Sequence, residues 1–218
     1  MSRALIFSDE AGCFAFCKND RASRYFMVCT VSLPSWEAGD KMLALRRDMA
    51  WRGLPVGEQL HATADKNDVR REVFSLLSGQ DFRIDVTILE KSKAQPHTRK
   101  SPDTFYKYAW FYHFKHVGPA LLAGVTEAHI FAAALGTKKG QAVYTAAVND
   151  VIQQIVQRQQ WATSFPRAAA EPCLQIADYC AWAIQRKWER GDTWAYDLIS
   201  NKIKTEYDLW RMGAKHYY

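Results

Sequence analysis

The sequence predicts an α/β fold in which a mixed β-sheet is flanked by helices, with further helices towards the C-terminal end. Three observations lead to this prediction. Strand-like segments come first, strands and helices then alternate, and the last third has mainly helical patterns. The 218 residues suit one domain, 1–218, with a helical elaboration from about residue 141. The 48% share of hydrophobic residues is enough for a sizeable core.

Three strands are predicted near the N-terminus, because three segments are apolar or rich in β-branched and aromatic residues. The first is 5–8, which ends at Asp9. The second is the hairpin segment 13–17, and the third is 25–33. Gly12 favours a turn directly after the first strand.

Two helices and a fourth strand come next. Ser35 is a suitable N-cap for a helix that ends near Gly53. A second apolar stripe at helical spacing predicts a helix from about 65 to 77. Apolar residues alternate through 82–88, which predicts a strand that ends near Glu90.

The second half of the chain alternates again before it becomes helical. Ser101, followed by proline, predicts the start of a helix that continues to about residue 118. Segment 129–132 is predicted as a fifth strand, followed by helices at about 141–160, 174–190 and 201–210. We predict the ribonuclease H-like architecture, because the order of the elements is that of this fold. The order is three early strands, a helix, a fourth strand, a helix and a fifth strand.

Composition excludes some classes of protein. No apolar run reaches the roughly 18 residues that a membrane-spanning helix needs, and no Walker loop, dinucleotide fingerprint or Gly-x-Ser-x-Gly elbow is present. The five cysteines lack zinc or disulfide spacing, which indicates thiols in a reducing cytosol and a cytoplasmic protein. The net charge of +6 is spread along the chain and is compatible with nucleic-acid binding.

Two acidic clusters at opposite ends of the chain carry the main functional prediction. Asp9 and Glu10 close the first strand, where α/β sheets place their sites. Asp178 lies on a mostly apolar helix, and a buried aspartate is usually paired or bound to metal. Asp9 and Glu10 reach one site only if the strand has ended, because neighbouring strand residues point to opposite faces. A structural role for each acid is the alternative.

A hard divalent cation needs two or more carboxylates together with substrate phosphate. We therefore predict that Asp9 and Asp178 bind Mg²⁺ or Mn²⁺, with Glu10 or Glu90 as a third ligand. His61 could act as a proton shuttle near the metal, although a loop histidine bonded to the backbone fits equally well.

Several polar residues are candidates for binding substrate, with plain surface positions as the alternative. Cationic side chains are suited to phosphate contacts, and a basic pair at a helix start forms an anion site. Gln175 shares one helix face with Asp178. The substrate-binding candidates are Lys91, Lys138, Lys139, Gln175 and Arg186.

The helix at 103–117 combines basic residues with many aromatic residues. Such a mixture can bind nucleic-acid strands by charge and stacking. Aromatic residues on nearly every side of a helix favour burial in the core, or contact with a second copy or a protein partner.

Four short segments, taken in order, resemble the bacterial family known as domain of unknown function 3800. They are Asp9–Gly12, His61–Thr63, 136–139 and 174–179, and the resemblance spans about 1–210. It implies a ribonuclease H-like fold, by analogy a metal-dependent nuclease site, and association with mobile elements or phage defence. Family members commonly have serine where this chain has Ala11, which removes a hydroxyl but no carboxylate.

The function expected from the sequence is therefore hydrolysis of DNA or RNA by a divalent-metal-dependent nuclease, with nucleic acid as the partner. Two alternatives remain open at this point. One is a catalytically silent ribonuclease H-like module that binds nucleic acid or a protein. The other is a metal-dependent phosphatase or nucleotidase.

Overall fold

The computed structural model describes residues 3–19, 22–134, 138–156 and 158–218, with only the backbone at 138–140. Six strands and six α-helices lie within these ranges. In chain order they are β1 (Arg3–Ala11), β2 (Tyr25–Leu33), α1 (Glu37–Trp51), α2 (Asn67–Ser78), β3 (Arg83–Glu90), α3 (Pro102–Leu121), β4 (Glu127–Ala132), α4 (Lys138–Ile155), β5 (Gln160–Ser164), α5 (Pro172–Arg190), α6 (Trp194–Ile199) and β6 (Ile203–Asp208).

The strands form one mixed sheet in the order β5-β4-β1-β2-β3-β6. β2 runs antiparallel to β1 and β3, whereas β4 is parallel to β1, β5 to β4, and β6 to β3. The order and directions of β3-β2-β1-β4-β5 are those of the ribonuclease H-like fold, and β6 adds a strand beside β3. The predicted fold class is confirmed.

Each face of the sheet is covered by its own set of helices. Phe7 and Ala11 of β1 point into a core shared with α1, α2 and α5, whereas Ile6 points into a second core shared with α3 and α4. This alternation follows from the two-residue period of a strand. It decides which helix each acidic residue at the end of β1 can reach.

Local sequence signals explain where the main helices begin and end. Ser101 is the N-cap of α3, and its side chain accepts a hydrogen bond from the Thr104 amide. The Glu171 side chain caps α5, which ends before Gly191 in the left-handed conformation with φ of 67°. At Gly39 of α1, an added Cβ would lie 2.4 Å from the Cys173 sulfur, so α1 and α5 pack closely because glycine stands there.

Several predicted elements are wrong. Segment 13–17 is not a strand, because Lys91 binds the carbonyl groups of Cys13 and Ala15 and no strand pairs with them. The third strand of the sheet is β3, so both α1 and α2 precede it. β6 is an edge strand within the predicted helix at 201–210, and β5 is an edge strand in a segment for which no strand was predicted, so the region after residue 141 is only partly helical.

The aromatic helix α3 packs into the core. Phe105, Tyr106, Trp110 and Phe114 are buried between the sheet and α4, which confirms the prediction of burial for this helix. Contact with a second copy or a protein partner stays a prediction. No helix in the described ranges is long and apolar enough to cross a membrane.

Candidate active site

The end of β1 directs Asp9 towards α5. β1 continues to Ala11, and Asp9 lies opposite Cys29 of β2 on the same face as Phe7 and Ala11. Gly12 then adopts φ of 109°, and a Cβ at this position would lie 2.4 Å from the Tyr25 carbonyl oxygen. The chain can therefore leave the sheet here only with glycine, because other residues rarely adopt this backbone conformation.

The α5 helix presents Asp178 to the same space. Ala177 and Ala181 are buried against the sheet and allow the helix to approach closely. The carboxyl group of Asp178 is close enough to Asp9 to contribute to the raised pKa of Asp9. The structure thus brings together the two acids that lie 169 positions apart in the sequence.

A tight turn before α2 holds Asp178 from the other side. The Ala62 amide donates to Oδ2 at 2.7 Å, and Nδ1 of His61 lies 3.1 Å from Oδ1. The His61 amide donates to Asp65, whose carboxylate also accepts the hydroxyl of Tyr179 on α5. These contacts fix the turn to the helix that carries Asp178.

The site raises the pKa of Asp9, one of its two acids. The pKa of Asp9 is raised well above its ordinary value by burial, then by the nearby charges of Glu10 and Asp178. The raised pKa favours a protonated carboxyl group at Asp9, next to Asp178, whose Oδ2 accepts the Ala62 amide.

His61 is the exposed member of the site, with 47% of its side chain accessible, whereas Asp178 is 14% accessible. Its pKa is raised because the hydrogen bond to Asp178 stabilises the charged ring more than burial opposes it. A protonated imidazole at the mouth of the site can donate a proton to a bound ligand. The placement agrees with the predicted proton shuttle, whose role stays a prediction.

Glu10 does not join this site, which corrects the prediction that it shares a metal or a catalytic role with Asp9. β1 has not ended at residue 9, so Glu10 points to the opposite face of the sheet. Its Oε1 accepts the Tyr106 hydroxyl at 2.7 Å and the Trp110 indole N–H at 2.9 Å. Oε2 is buried without a hydrogen-bond partner among the described residues. Burial raises the pKa of Glu10 to about 7 although both hydrogen bonds oppose the shift.

Glu90 is also excluded as the third metal ligand. Asp9 lies opposite Cys29, which lies opposite Val86 of β3, and Glu90 is four residues further along that strand. It is therefore about 13 Å away along the strand direction, at about 3.3 Å per residue. Its carboxylate instead forms ion pairs with Arg24 and Lys93 at 2.8 and 2.9 Å, and these lower its pKa despite burial.

Lys91 is a structural residue, which corrects its prediction as a phosphate contact. Its side chain is fully buried, and Nζ donates to the carbonyl oxygens of Cys13 and Ala15 at 2.9 and 2.7 Å. Nζ also lies 3.3 Å from the Cys13 sulfur. Burial raises the pKa of the Cys13 thiol, but hydrogen bonds from Ser23, Ala15 and Lys91 outweigh it and lower the pKa to about 7.

Gln175 does not fit the predicted substrate contact either. It is buried, its Oε1 accepts the Leu60 amide at 3.1 Å, and its Nε2 donates to the Ala168 carbonyl at 2.8 Å. Both ends of the amide are therefore used to fix loops beside α5. The side chains of Lys138 and Lys139 lie outside the described residues, and their predicted role stays a prediction.

Arg186 is compatible with its predicted role. It lies two turns after Asp178 on α5, pairs with Asp192 at 2.6 Å, and lines a cleft on the surface.

Among the site residues that sequence reasoning missed, the Ala62 amide has no sequence signal. Asp65, an aspartate shortly before a helix, is a recognisable turn residue. Tyr106 and Trp110, four residues apart on one helix, could be noticed only as polar tips on aromatic side chains.

The residues present define what kind of metal the site could hold. Within the described part of the chain, no three His, Cys, Asp or Glu side chains are arranged as a metal-binding group. The site offers two neighbouring carboxyl groups, Asp9 and Asp178. This donor set suits Mg²⁺ or Mn²⁺ bound by one or two carboxylates with water and substrate oxygens, rather than a cation that needs an all-protein cage. The residues therefore fit the cation that the fold family implies.

No family model matches the chain, and no curated protein matches it. Among solved structures, it is similar to a chain of the PCNA:RNase HII complex from Archaeoglobus fulgidus. The identity is 10% and the TM-score 0.46, and the match covers 92% of this chain and 78% of that chain. At these values the likeness supports no statement about activity. The ribonuclease H-like fold of this chain follows from its strand order and strand directions.

Proposed function

We propose that this protein is a divalent-metal-dependent nuclease that hydrolyses phosphodiester bonds of DNA or RNA. The proposal is carried by one observation: the end of the first strand and the last long helix bring the carboxyl groups of Asp9 and Asp178 together at one site. Two neighbouring carboxylates repel each other when both are ionised, and a bound cation removes that repulsion. The resemblance to the domain of unknown function 3800 family and the positive net charge agree with the proposal.

Asp9 and Asp178 would hold Mg²⁺ or Mn²⁺, which when bound supplies an activated water and stabilises negative charge on the phosphate. The protein itself supplies the positioning. The Ala62 amide fixes one oxygen of Asp178, and the Glu10 amide donates to Oδ1 of Asp9 at 2.9 Å. His61, whose pKa is raised by Asp178, holds a proton at the exposed side of the pair and can donate it to a leaving oxygen.

The test uses purified protein, Mn²⁺ or Mg²⁺, and labelled single-stranded and double-stranded DNA and RNA. Asp9→Asn and Asp178→Asn should each lower the cleavage rate by at least about a hundredfold, because each removes a ligand that acts at the reacting phosphate. Asp81→Asn, at an exposed position before β3, is the matched control and should cleave like the wild type. Calorimetric titration with Mn²⁺ should lose its signal in the two site variants and keep it in the control.

Cleavage that survives both site substitutions would refute the proposal. Hydrolysis of mononucleotides without cleavage of any oligonucleotide would replace the nuclease by a nucleotidase. Mn²⁺ binding that is equal in the wild type and Asp178→Asn would remove the shared metal site.

A further inference from the structure

A cleft runs along α5 directly beside the acid pair, and we call it the α5 cleft. Its volume is about 550 Å³, and its walls are formed by α5, the segment from Thr63 to Arg70, and Trp194 at the start of α6. Thr63 follows Ala62, whose amide holds Asp178. The cleft therefore begins one residue from the proposed catalytic site.

The helical repeat places the cleft and the acid on the same side of α5. Trp182, Gln185 and Glu189 line the cleft and follow Asp178 by four, seven and eleven residues, a spacing that keeps residues on one helix face. Eleven residues of α-helix span about 16 Å at about 1.5 Å per residue. A ligand that starts at Asp178 can therefore follow this face to the end of the helix.

The charges along the cleft favour an anionic ligand. Arg70, Arg186 and Arg190 line it, together with the acids Glu189 and Asp192. The Glu189 carboxylate already accepts the backbone amides of residues 24 and 25, at 3.1 and 2.8 Å. Asp192 is paired with Arg186. Arg190 is exposed and forms no ion pair with any residue in the described ranges, so its charge is available to a ligand.

Two of these arginines are held in place before any ligand binds. Arg70 donates to the carbonyl groups of Ala62 and Thr63, and its guanidinium lies 4.8 Å from the centre of the Trp182 ring. The Arg186 guanidinium lies 5.6 Å from the same ring. Groups that are already ordered lose less conformational entropy on binding. The indole also gives the cleft an aromatic wall next to the cations.

We propose that the α5 cleft binds single-stranded nucleic acid, with the strand running from the acid pair towards Arg190. The substrate class in this inference rests on the proposed nuclease function. At the spacing of about 3.4 Å that one strand has in duplex DNA, a path of about 16 Å corresponds to roughly five stacked nucleotides. The cleft volume of about 550 Å³ lies in the range of pockets that bury one small ligand. The cleft can therefore enclose about one nucleotide while the rest of a strand follows the helix face, and it cannot enclose a duplex. Aromatic walls with cations are typical of single-strand binding, because unpaired bases expose faces for stacking.

The test measures binding by fluorescence anisotropy in EDTA, so that no metal-dependent cleavage takes place. The probes are fluorescein-labelled oligothymidine and oligouridine of 12 nucleotides and a blunt 12-base-pair DNA duplex. Arg190→Gln should weaken single-strand binding about three- to tenfold and reduce the slope of log K against log salt by about 0.7, the value for one lost phosphate contact. Arg47→Gln, at an exposed position on α1, is the matched control and should change neither quantity.

Shorter probes test the length of the path. Affinity for oligothymidine should rise steeply up to about five nucleotides and then increase only slowly. Arg190→Glu and its control Arg47→Glu form a second pair of variants. The loss of single-strand affinity in Arg190→Glu should be larger than in Arg190→Gln.

The inference would be overturned if the Arg190 and Arg47 variants had equal affinities and equal salt slopes. It would also be overturned if the duplex bound as strongly as the single strands, or if no probe bound. Specific weakening by Arg190→Gln without cleavage in Mn²⁺ would refute the nuclease and leave the cleft as a binding site. Intact cleavage with no effect of Arg190 would refute the cleft alone.

Discussion

The buried carboxyl group of Glu10 offers a direct measurement of the electrostatics beside the proposed site. Its Oε1 is satisfied by Tyr106 and Trp110, but its Oε2 has no partner among the described residues. Glu10→Gln keeps the shape of the side chain and the acceptor oxygen while it removes the titration. The substitution therefore separates the effect of charge from the effect of packing.

The magnitude follows from the pKa of Glu10, which is raised from 4.5 to about 7. This difference corresponds to about 3 kcal/mol, at about 1.36 kcal/mol per unit. Between about pH 4.5 and 7, the folded state keeps the proton and the unfolded state releases it, so the free energy of unfolding falls as pH rises. Between pH 5 and 8 we expect Glu10 to lower the free energy of unfolding by about 2–3 kcal/mol, and Glu10→Gln to remove that fall.

The assay is urea denaturation in EDTA at several pH values between 4.5 and 8.5. The quantity of interest is the difference between wild type and variant, because buried His113, with its pKa lowered to about 3, opposes the trend in both proteins. The difference in the free energy of unfolding between the two proteins should change by about 2–3 kcal/mol over this range. Glu58→Gln, at an exposed position, is the control and should change little with pH.

Parallel pH profiles for the wild type and Glu10→Gln would refute the reasoning. A constant offset between the two profiles would not support it, because the new amide N–H also lacks a partner and costs about 1–3 kcal/mol at every pH. Only a difference that grows between pH 4.5 and 7 and then levels off agrees with a buried carboxyl group that binds a proton.

Three further predictions concern the framework of the site. Asp178→Asn should lower the pKa of His61, because the hydrogen bond to the carboxylate is the main cause of its raised value; an NMR titration that gives the same His61 pKa in both proteins would contradict this. Gly12→Ala should lower the free energy of unfolding by at least about 2 kcal/mol. The cause is the backbone φ of 109° at this position, together with a new Cβ that would lie 2.4 Å from the Tyr25 carbonyl oxygen. A urea denaturation curve close to that of the wild type would show that the turn relaxes and would contradict this prediction. Lys91→Met should lower the free energy of unfolding by about 2–4 kcal/mol, because two loop carbonyl groups lose their hydrogen-bond donor. A change within about 0.5 kcal/mol, which is typical of surface positions, would disprove the structural role.

The fold class could be predicted from the sequence although two of its six strands, β5 and β6, were not predicted as strands. The apolar segments of β1, β2, β3 and β4 have clear strand patterns, and their alternation with helices restricts the topology. β5 and β6 were missed because both lie at sheet edges and contain mostly polar or half-buried residues. Their strand conformation comes from pairing with β4 and β3, a tertiary effect that local propensity does not report.

The candidate site was only partly predictable. Asp9 and Asp178 could be paired because this fold brings its first strand against its last long helix. Glu10 was misplaced because β1 extends three residues beyond the predicted strand 5–8, to Ala11, and neighbouring strand residues point to opposite faces. Lys91 and Gln175 have the residue types of a substrate site, but burial and backbone hydrogen bonds give them structural roles. Residue type and spacing do not determine the direction of a side chain.

The arrangement around the acid pair explains why its two members should behave differently. Asp178 accepts the Ala62 amide and faces His61, whereas Asp9 accepts the adjacent Glu10 amide and lies near the charge of Glu10. A proton is therefore favoured on Asp9, whose pKa is raised. A divalent cation would replace this proton, so its binding must compete with protonation of Asp9. The same like-charge contact that raises the pKa of Asp9 would also favour a bound cation, which is the physical basis of the proposed metal site.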